Sequence, residues 1–207
     1  MLITFEGIEG SGKTTQVELL YQYLQRKGHH VLKTREPGGT ALGEALRKVL
    51  LQKDLRVLHL SELLIFMAVR TQHMEEVILP ALGRGEVVLC DRFVDATYAY
   101  QGYGRGVDLG IISTLNRLVT KGVMPNLTIL LDCDVDTGLG RKLARENQSD
   151  RFEDEGAAFH EKIRRGYLML AEEDGKRFFV VNGRKGIEAT HEIIRDRVEK
   201  LLESHGV

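Results

Sequence analysis

The sequence predicts an α/β domain built on a doubly wound, parallel β-sheet with helices over both faces, three layers in all. Two observations carry the prediction. Short apolar runs, such as those within residues 2–6, 87–90 and 127–131, alternate with longer segments of helical period. Each run is continuously leucine-rich or β-branched, the pattern of a strand buried on both faces. Ligands in such sheets sit at the carboxyl ends of the strands. Three polar stretches fall there, residues 7–14, residues 35–40 and Asp91-Arg92, and their convergence on one cleft is expected.

Taken in order, residues 2–6 read as the first strand. Residues 13–27 follow as a helix with Val17, Leu20, Tyr21 and Leu24 on one stripe, stopped by Gly28. A second strand is expected over residues 30–34, then a turn-rich loop, then a helix over residues 41–51. Ser61 suits the N-cap of a long helix reaching about Leu82, with Pro80 kinking it near its end. Residues 86–91 form the next strand. Helical segments at 94–100 and 108–121 flank a loop at 102–106. The strand at 127–132 leads into a helix from Asp136 that runs into an arginine-rich stretch, residues 141–151. A helix (156–172), a strand (177–181) and a terminal helix (187–203) complete the order.

At 207 residues, one domain spanning the whole chain is expected, with room for a substantial core. Apolar residues at 43% and a formal net charge of −1 suit a soluble globular protein and suggest neither a nucleic-acid nor a membrane surface. The chain opens on a strand, so no signal or transit peptide is expected, and a cytoplasmic location follows. Cys90 and Cys133 each end a strand without forming a C-x-x-C pair, which reads as reduced, structural thiols.

The most specific stretch is Gly7-Ile8-Glu9-Gly10-Ser11-Gly12-Lys13-Thr14, which fits G-x-x-x-x-G-K-[ST] between a strand and a helix. Glycines let the backbone turn its N–H groups toward one centre, and the helix start adds unpaired N–H groups and a positive dipole end. Lys13 can reach the outer phosphates of a nucleoside triphosphate, and the Thr14 hydroxyl can ligate Mg²⁺. Glu9 is the odd residue: a carboxylate inside a phosphate cradle should turn outward, toward metal-bound water or a hydroxyl of a second substrate.

The loop alone does not name a reaction. A guanine-selecting N-K-x-D is missing, since Asn147-Gln148-Ser149-Asp150 lacks the lysine, and there is no D-x-x-G. Asp91 at a strand end suits Mg²⁺ held through water, and Arg92 suits an acceptor phosphate and the transferring group. Arg141, Arg145 and Arg151 read either as a solvated helix face or as a lid closing over the triphosphate. A small-molecule or nucleotide kinase is the favoured class. An ATP-switched assembly or partitioning ATPase is the competitor, against which Arg92 and the arginine cluster count.

The phosphate loop, Thr34-Arg35-Glu36-Pro37-Gly38-Gly39-Thr40, Cys90-Asp91-Arg92-Phe93, Ala99-Tyr100-Gln101-Gly102 and Asp150-Arg151-Phe152-Glu153 together resemble bacterial thymidylate kinases, over essentially the whole chain. The resemblance implies a P-loop nucleoside monophosphate kinase fold with a short arginine-rich lid at about 141–155. It implies transfer from Mg-ATP to dTMP, a step toward dTTP, by a homodimer. It places Phe66 under the thymine ring, Arg70 on its carbonyl and Gln101 on the pyrimidine edge. Tyr100 lies against the sugar with Thr97 one turn earlier, while Arg35 and Arg47 are further acceptor-site positions. Arg92 meets the acceptor phosphate and Glu9 the sugar 3′-hydroxyl and metal. Arg145 and Arg151 supply lid charge, and Arg141 joins the ATP site. From its apolar neighbours alone, Phe66 reads as core.

Overall fold

The computed structural model describes residues 1–143, 151–152 and 155–206. Among these, β1 (Leu2–Glu6), β2 (Val31–Arg35), β3 (Val87–Asp91), β4 (Leu127–Asp132) and β5 (Phe178–Asn182) form one parallel sheet in the order β2-β3-β1-β4-β5. The chain leaves β1 for the β2 side, then crosses back from β3 to β4 on the other side. That reversal opens a crevice at the carboxyl ends of β1 and β3.

Alternation along each strand sorts the two faces. Ile3 and Phe5 of β1 pack with Val17, Leu20 and Leu24 of α1 (Lys13–Arg26) and with Ile194, Val198 and Leu202 of the terminal helix, α9 (Ile187–His205). Leu2, Val88 and Cys90 face the opposite layer. There α2 (Ala41–Leu51), α3 (His59–His73), α4 (Leu79–Gly83), α5 (Val94–Thr97), α6 (Leu109–Val119), α7 (Val135–Leu143) and α8 (Ala157–Glu173) follow in chain order. Three layers result, as the sequence predicts, and strand positions agree within a residue.

Three details differ. Ser61 is not the cap: α3 starts at His59, with Glu62 N–H closing the first turn on Leu58 O at 2.8 Å and no side-chain cap. The expected long helix does run unbroken to Gly83, but a π-turn at Met74–Ile78, in which Leu79 N–H bonds Met74 O, interrupts its α-helical bonding just before Pro80. The glycines at 102 and 104 are not loop residues either. They lie in a second π-turn, Tyr98–Gly104, because Cβ atoms there would stand 2.5 Å from Leu109 Cδ2 and 2.8 Å from Phe159 Cε2. Close packing, not a turn, requires them.

Candidate active site

β1 delivers the chain into the phosphate loop, and Gly12 at φ = 99° is the N-cap of α1. Gly10 is fixed from outside: at φ = 68°, a Cβ on it would stand 1.8 Å from the Gly138 carbonyl of α7. Lys13 curls within the loop, Nζ donating to Gly7 O (2.9 Å), Ile8 O (2.7 Å) and Ser11 Oγ (3.3 Å). Burial, then the Arg92 guanidinium, push its pKa down to about 8 against the pull of Asp91, Glu9 and Glu6.

At the end of β3, the Thr14 hydroxyl donates to Asp91 Oδ2 at 2.6 Å, so the two residues expected at a metal stand together. Arg92 holds φ = 70°, a left-handed conformation that costs a side-chain-bearing residue about 1–2 kcal/mol. Its guanidinium reaches the phosphate loop, where Nη1 donates to Gly7 O (3.1 Å) and Nη2 to Glu9 Oε1 (3.0 Å). Glu9 Oε1 also accepts from Tyr100 Oη at 2.6 Å, and Arg92 lies 4.9 Å over the Tyr100 ring. Burial works to raise the Glu9 pKa, but Arg92, His160, Lys13 and Tyr100 hold it well below the usual carboxylate range. Glu9 thus turns toward Arg92 and Tyr100.

One cleft of about 1120 Å³ runs from residues 9–16 to Phe66, Arg70, Thr97, Tyr100 and Gln101, with Asp91 and Arg92 between. The three strand-end stretches do converge. Arg35 and Arg47 line the cleft, Arg35 paired with Glu44 at 2.9 Å and Arg47 Nη1 donating to Pro37 O at 2.8 Å. Phe66 faces the cleft rather than only the core, its ring 6.2 Å from that of Phe152. Arg70 is buried, and its guanidinium is occupied by Glu36 (Nε, 2.8 Å; Nη2, 2.7 Å), Thr97 Oγ1 (2.9 Å), Asn116 Oδ1 (2.6 Å) and Phe93 O (2.9 Å). A base carbonyl reaching it would share an N–H already in use.

On the donor side, Arg141 Nη1 donates to Gly183 O at 2.8 Å and lines the cleft. Arg145, with most of the expected lid, lies outside the described residues. Arg151 departs from expectation. Its Nε donates to Leu50 O at 2.9 Å and its Nη2 pairs with Glu62 Oε2 at 2.7 Å, which fixes it beside the acceptor pocket and not over the phosphate loop.

Sequence reasoning missed several residues. Residues 183–187, after β5, line the donor end of the cleft, and Gln16 Nε2 donates to Ile187 O at 2.9 Å. Their Gly-Arg-Lys-Gly run stands at a strand end like the other three stretches, so the same rule would have found them. Phe152 is a wall of the acceptor pocket. Glu6 and Glu62 are buried and bonded to residues that line the cleft, and no local pattern marks them; Glu36, inside the motif of residues 34–40, is buried too and grips Arg70.

Residues 5–194 match the family model described as thymidylate kinase. Curated relatives include the thymidylate kinase of Geotalea daltonii, 54% identical over 195 residues and 91% of each chain. That of Geotalea uraniireducens is 50% identical over 198 residues and 93% of each. Among solved structures, the thymidylate kinase from Ehrlichia chaffeensis superposes with a TM-score of 0.80 at 36% identity, covering 96% of this chain and 98% of that one.

Proposed function

The chain belongs to the thymidylate kinase family, and from that premise we propose that it transfers the γ-phosphoryl group of ATP to dTMP, giving dTDP and ADP. The observation that supports this most is the single cleft joining the phosphate loop to the Phe66–Gln101 pocket, with Arg92 between them. An acceptor-phosphate oxygen attacks the γ-phosphorus in line, and the bond to the β-bridging oxygen breaks with its electron pair leaving on ADP. No protein nucleophile is needed, so catalysis is positioning and charge neutralisation.

Lys13 exchanges its bonds to Gly7 O and Ile8 O for phosphate oxygens, joined by the loop N–H groups. Arg92, already turned toward the loop, takes the acceptor phosphate in its planar fork. Glu9 and Tyr100 hold the sugar side, Phe66 and Phe152 enclose the base, and Arg141 and Arg145 serve the donor phosphates. Mg²⁺ fits the all-oxygen pair of Thr14 and Asp91. Among the described residues no group of three or more His, Cys, Asp or Glu could hold a metal, which suits an ion bound mainly through phosphate and water. When bound, it neutralises phosphate charge.

We also assign a homodimer. Leu60 and Leu64 of α3 and Ile111 and Leu118 of α6 are exposed on two helices that pack together through Leu63, Met67 and Ile112, and a second copy would cover them. Leu64→Arg with Leu118→Arg should convert the sedimenting species to a monomer; an unchanged dimer refutes the interface. Buried, free Cys90 and Cys133 suit a cytoplasmic enzyme.

The test is ADP release with Mg-ATP and dTMP, dUMP, UMP, dCMP, AMP or GMP, plus a control without acceptor. Fast turnover of dTMP, weaker of UMP, is expected. Some turnover of dUMP is expected too, since one methyl in a pocket is worth about 1–3 kcal/mol. ADP release indifferent to every acceptor would overturn the kinase reading in favour of a switch ATPase.

A further inference from the structure

Beside the acceptor pocket, Glu62 of α3 is fully buried and touches no part of the phosphate machinery. Two guanidiniums face it, Arg151 at 2.7 Å from Oε2 and Arg105 at 3.5 Å from Oε1. Its Oε1 also accepts from Gln101 Nε2 at 2.9 Å. A carboxylate in such company can only accept, so it dictates which end of the Gln101 amide turns toward it. The nitrogen must. Gln101 is itself buried but lines the cleft, so its free end there is the carbonyl oxygen, an acceptor.

We propose that Glu62 is a positioning residue for base selection: by holding Gln101 Nε2, it presents Gln101 Oε1 as a fixed acceptor to the base edge. The proposal rests on the acceptor-pocket reading above and narrows it. A pyrimidine with an N3–H, as in thymine and uracil, donates to that oxygen. Cytosine offers a lone pair at N3 instead and meets acceptor with acceptor. Turning the amide over to suit cytosine would place Gln101 Oε1 against Glu62 Oε1, two acceptors in a buried site, so both orientations are penalised.

Glu62→Gln tests this, because its amide can donate as well as accept and so releases Gln101 to flip. The assay is kcat/KM for dTMP, dUMP and dCMP with saturating Mg-ATP, with a thermal melt alongside. The dTMP:dCMP ratio should fall at least about tenfold, since a buried hydrogen-bond mismatch is what sustains such discrimination. The dTMP:dUMP ratio should stay unchanged, because those two bases share the same edge. A uniform loss on all three substrates, or an unchanged dTMP:dCMP ratio, refutes the positioning role. A wild-type enzyme without preference for dTMP over dCMP instead overturns the acceptor assignment itself. Should the variant not fold, a crystal structure of the wild-type enzyme with dTMP decides: retention of the Gln101–Glu62 bond, with Gln101 Oε1 at the base N3, is expected. Its loss on binding overturns the proposal.

Discussion

Gly138 lies far from the phosphate loop in sequence and carries no functional group, yet it sets the position of that loop. It belongs to α7, where alanine is ordinarily favoured over glycine by about 1 kcal/mol. A Cβ at 138, however, would stand 2.5 Å from the Glu9 carbonyl oxygen and 3.0 Å from Ile8 Cδ1, where Cβ contacts under 3.0 Å essentially do not occur. In Gly138→Ala, helix and loop must therefore part by about half an ångström. The propensity gain offsets part of that cost, so stability should stay within about 1 kcal/mol of wild type. Activity should not. Misplacing catalytic groups by 1 Å costs on the order of 100-fold, so kcat/KM for ATP should fall about tenfold. Gly140→Ala on the same helix is the control, since nothing lies within 4 Å of a Cβ there; that variant should be no less stable and fully active. Steady-state ADP release with varied ATP, beside thermal melts, measures both. Wild-type kcat/KM in Gly138→Ala would refute the argument.

Glu6 accepts from Phe93 N (2.7 Å) and Tyr167 Oη (2.7 Å), and burial followed by Asp95 pushes its pKa up from 4.5 to about 8. Its proton-bearing form stabilises the fold fully below pH 4.5, and that contribution is lost as pH rises through about 8. Glu6→Gln should therefore lose less stability than wild type between those limits in urea titrations; parallel profiles would disprove the shift. Phe66→Ala should raise KM for dTMP about 10- to 100-fold with KM for ATP unchanged, because stacking on a base is worth about 1–3 kcal/mol. A lowered melting temperature with KM intact would return Phe66 to the core. Arg177 grips buried Asp95 through Nη1 (2.6 Å) and Nη2 (3.0 Å), so Arg177→Met strands a carboxylate and should cost about 3–5 kcal/mol in chemical denaturation. A loss under 1 kcal/mol (roughly the worth of an exposed pair) would mean that water reaches Asp95.

The sheet was legible because buried strands and amphipathic helices impose different periods, and each strand here carries its own apolar run. The glycines at 102 and 104 were misread for a physical reason: a glycine chosen for close approach and one chosen for positive φ look alike in a sequence. Neither residue has positive φ. The phosphate loop, Asp91 and Arg92 were legible because their chemistry is local, a few residues acting together at one strand end. Arg151 was placed wrongly because its partners, Leu50 O and Glu62, lie about a hundred residues upstream and no spacing announces them.

The acids around the cleft share a logic, whether the sequence marks them, as it does Glu9 and Glu36, or leaves them unmarked, as with Glu6 and Glu62. Glu36 holds Arg70, Glu62 holds Gln101, Glu9 holds Arg92 and Tyr100, and Glu6 holds Phe93 N–H and Tyr167. In each case a group at or beside the cleft is fixed by an acid whose own burial is unfavourable unless that partner stays in place. Such pairs weaken the argument for stability and strengthen the one for preorganisation: the donors that must meet two phosphates and a base are oriented by bonds within the protein. Uncoupling any one pair should then disturb recognition before it disturbs folding. Arg177–Asp95, which has no place in the cleft, should show the reverse.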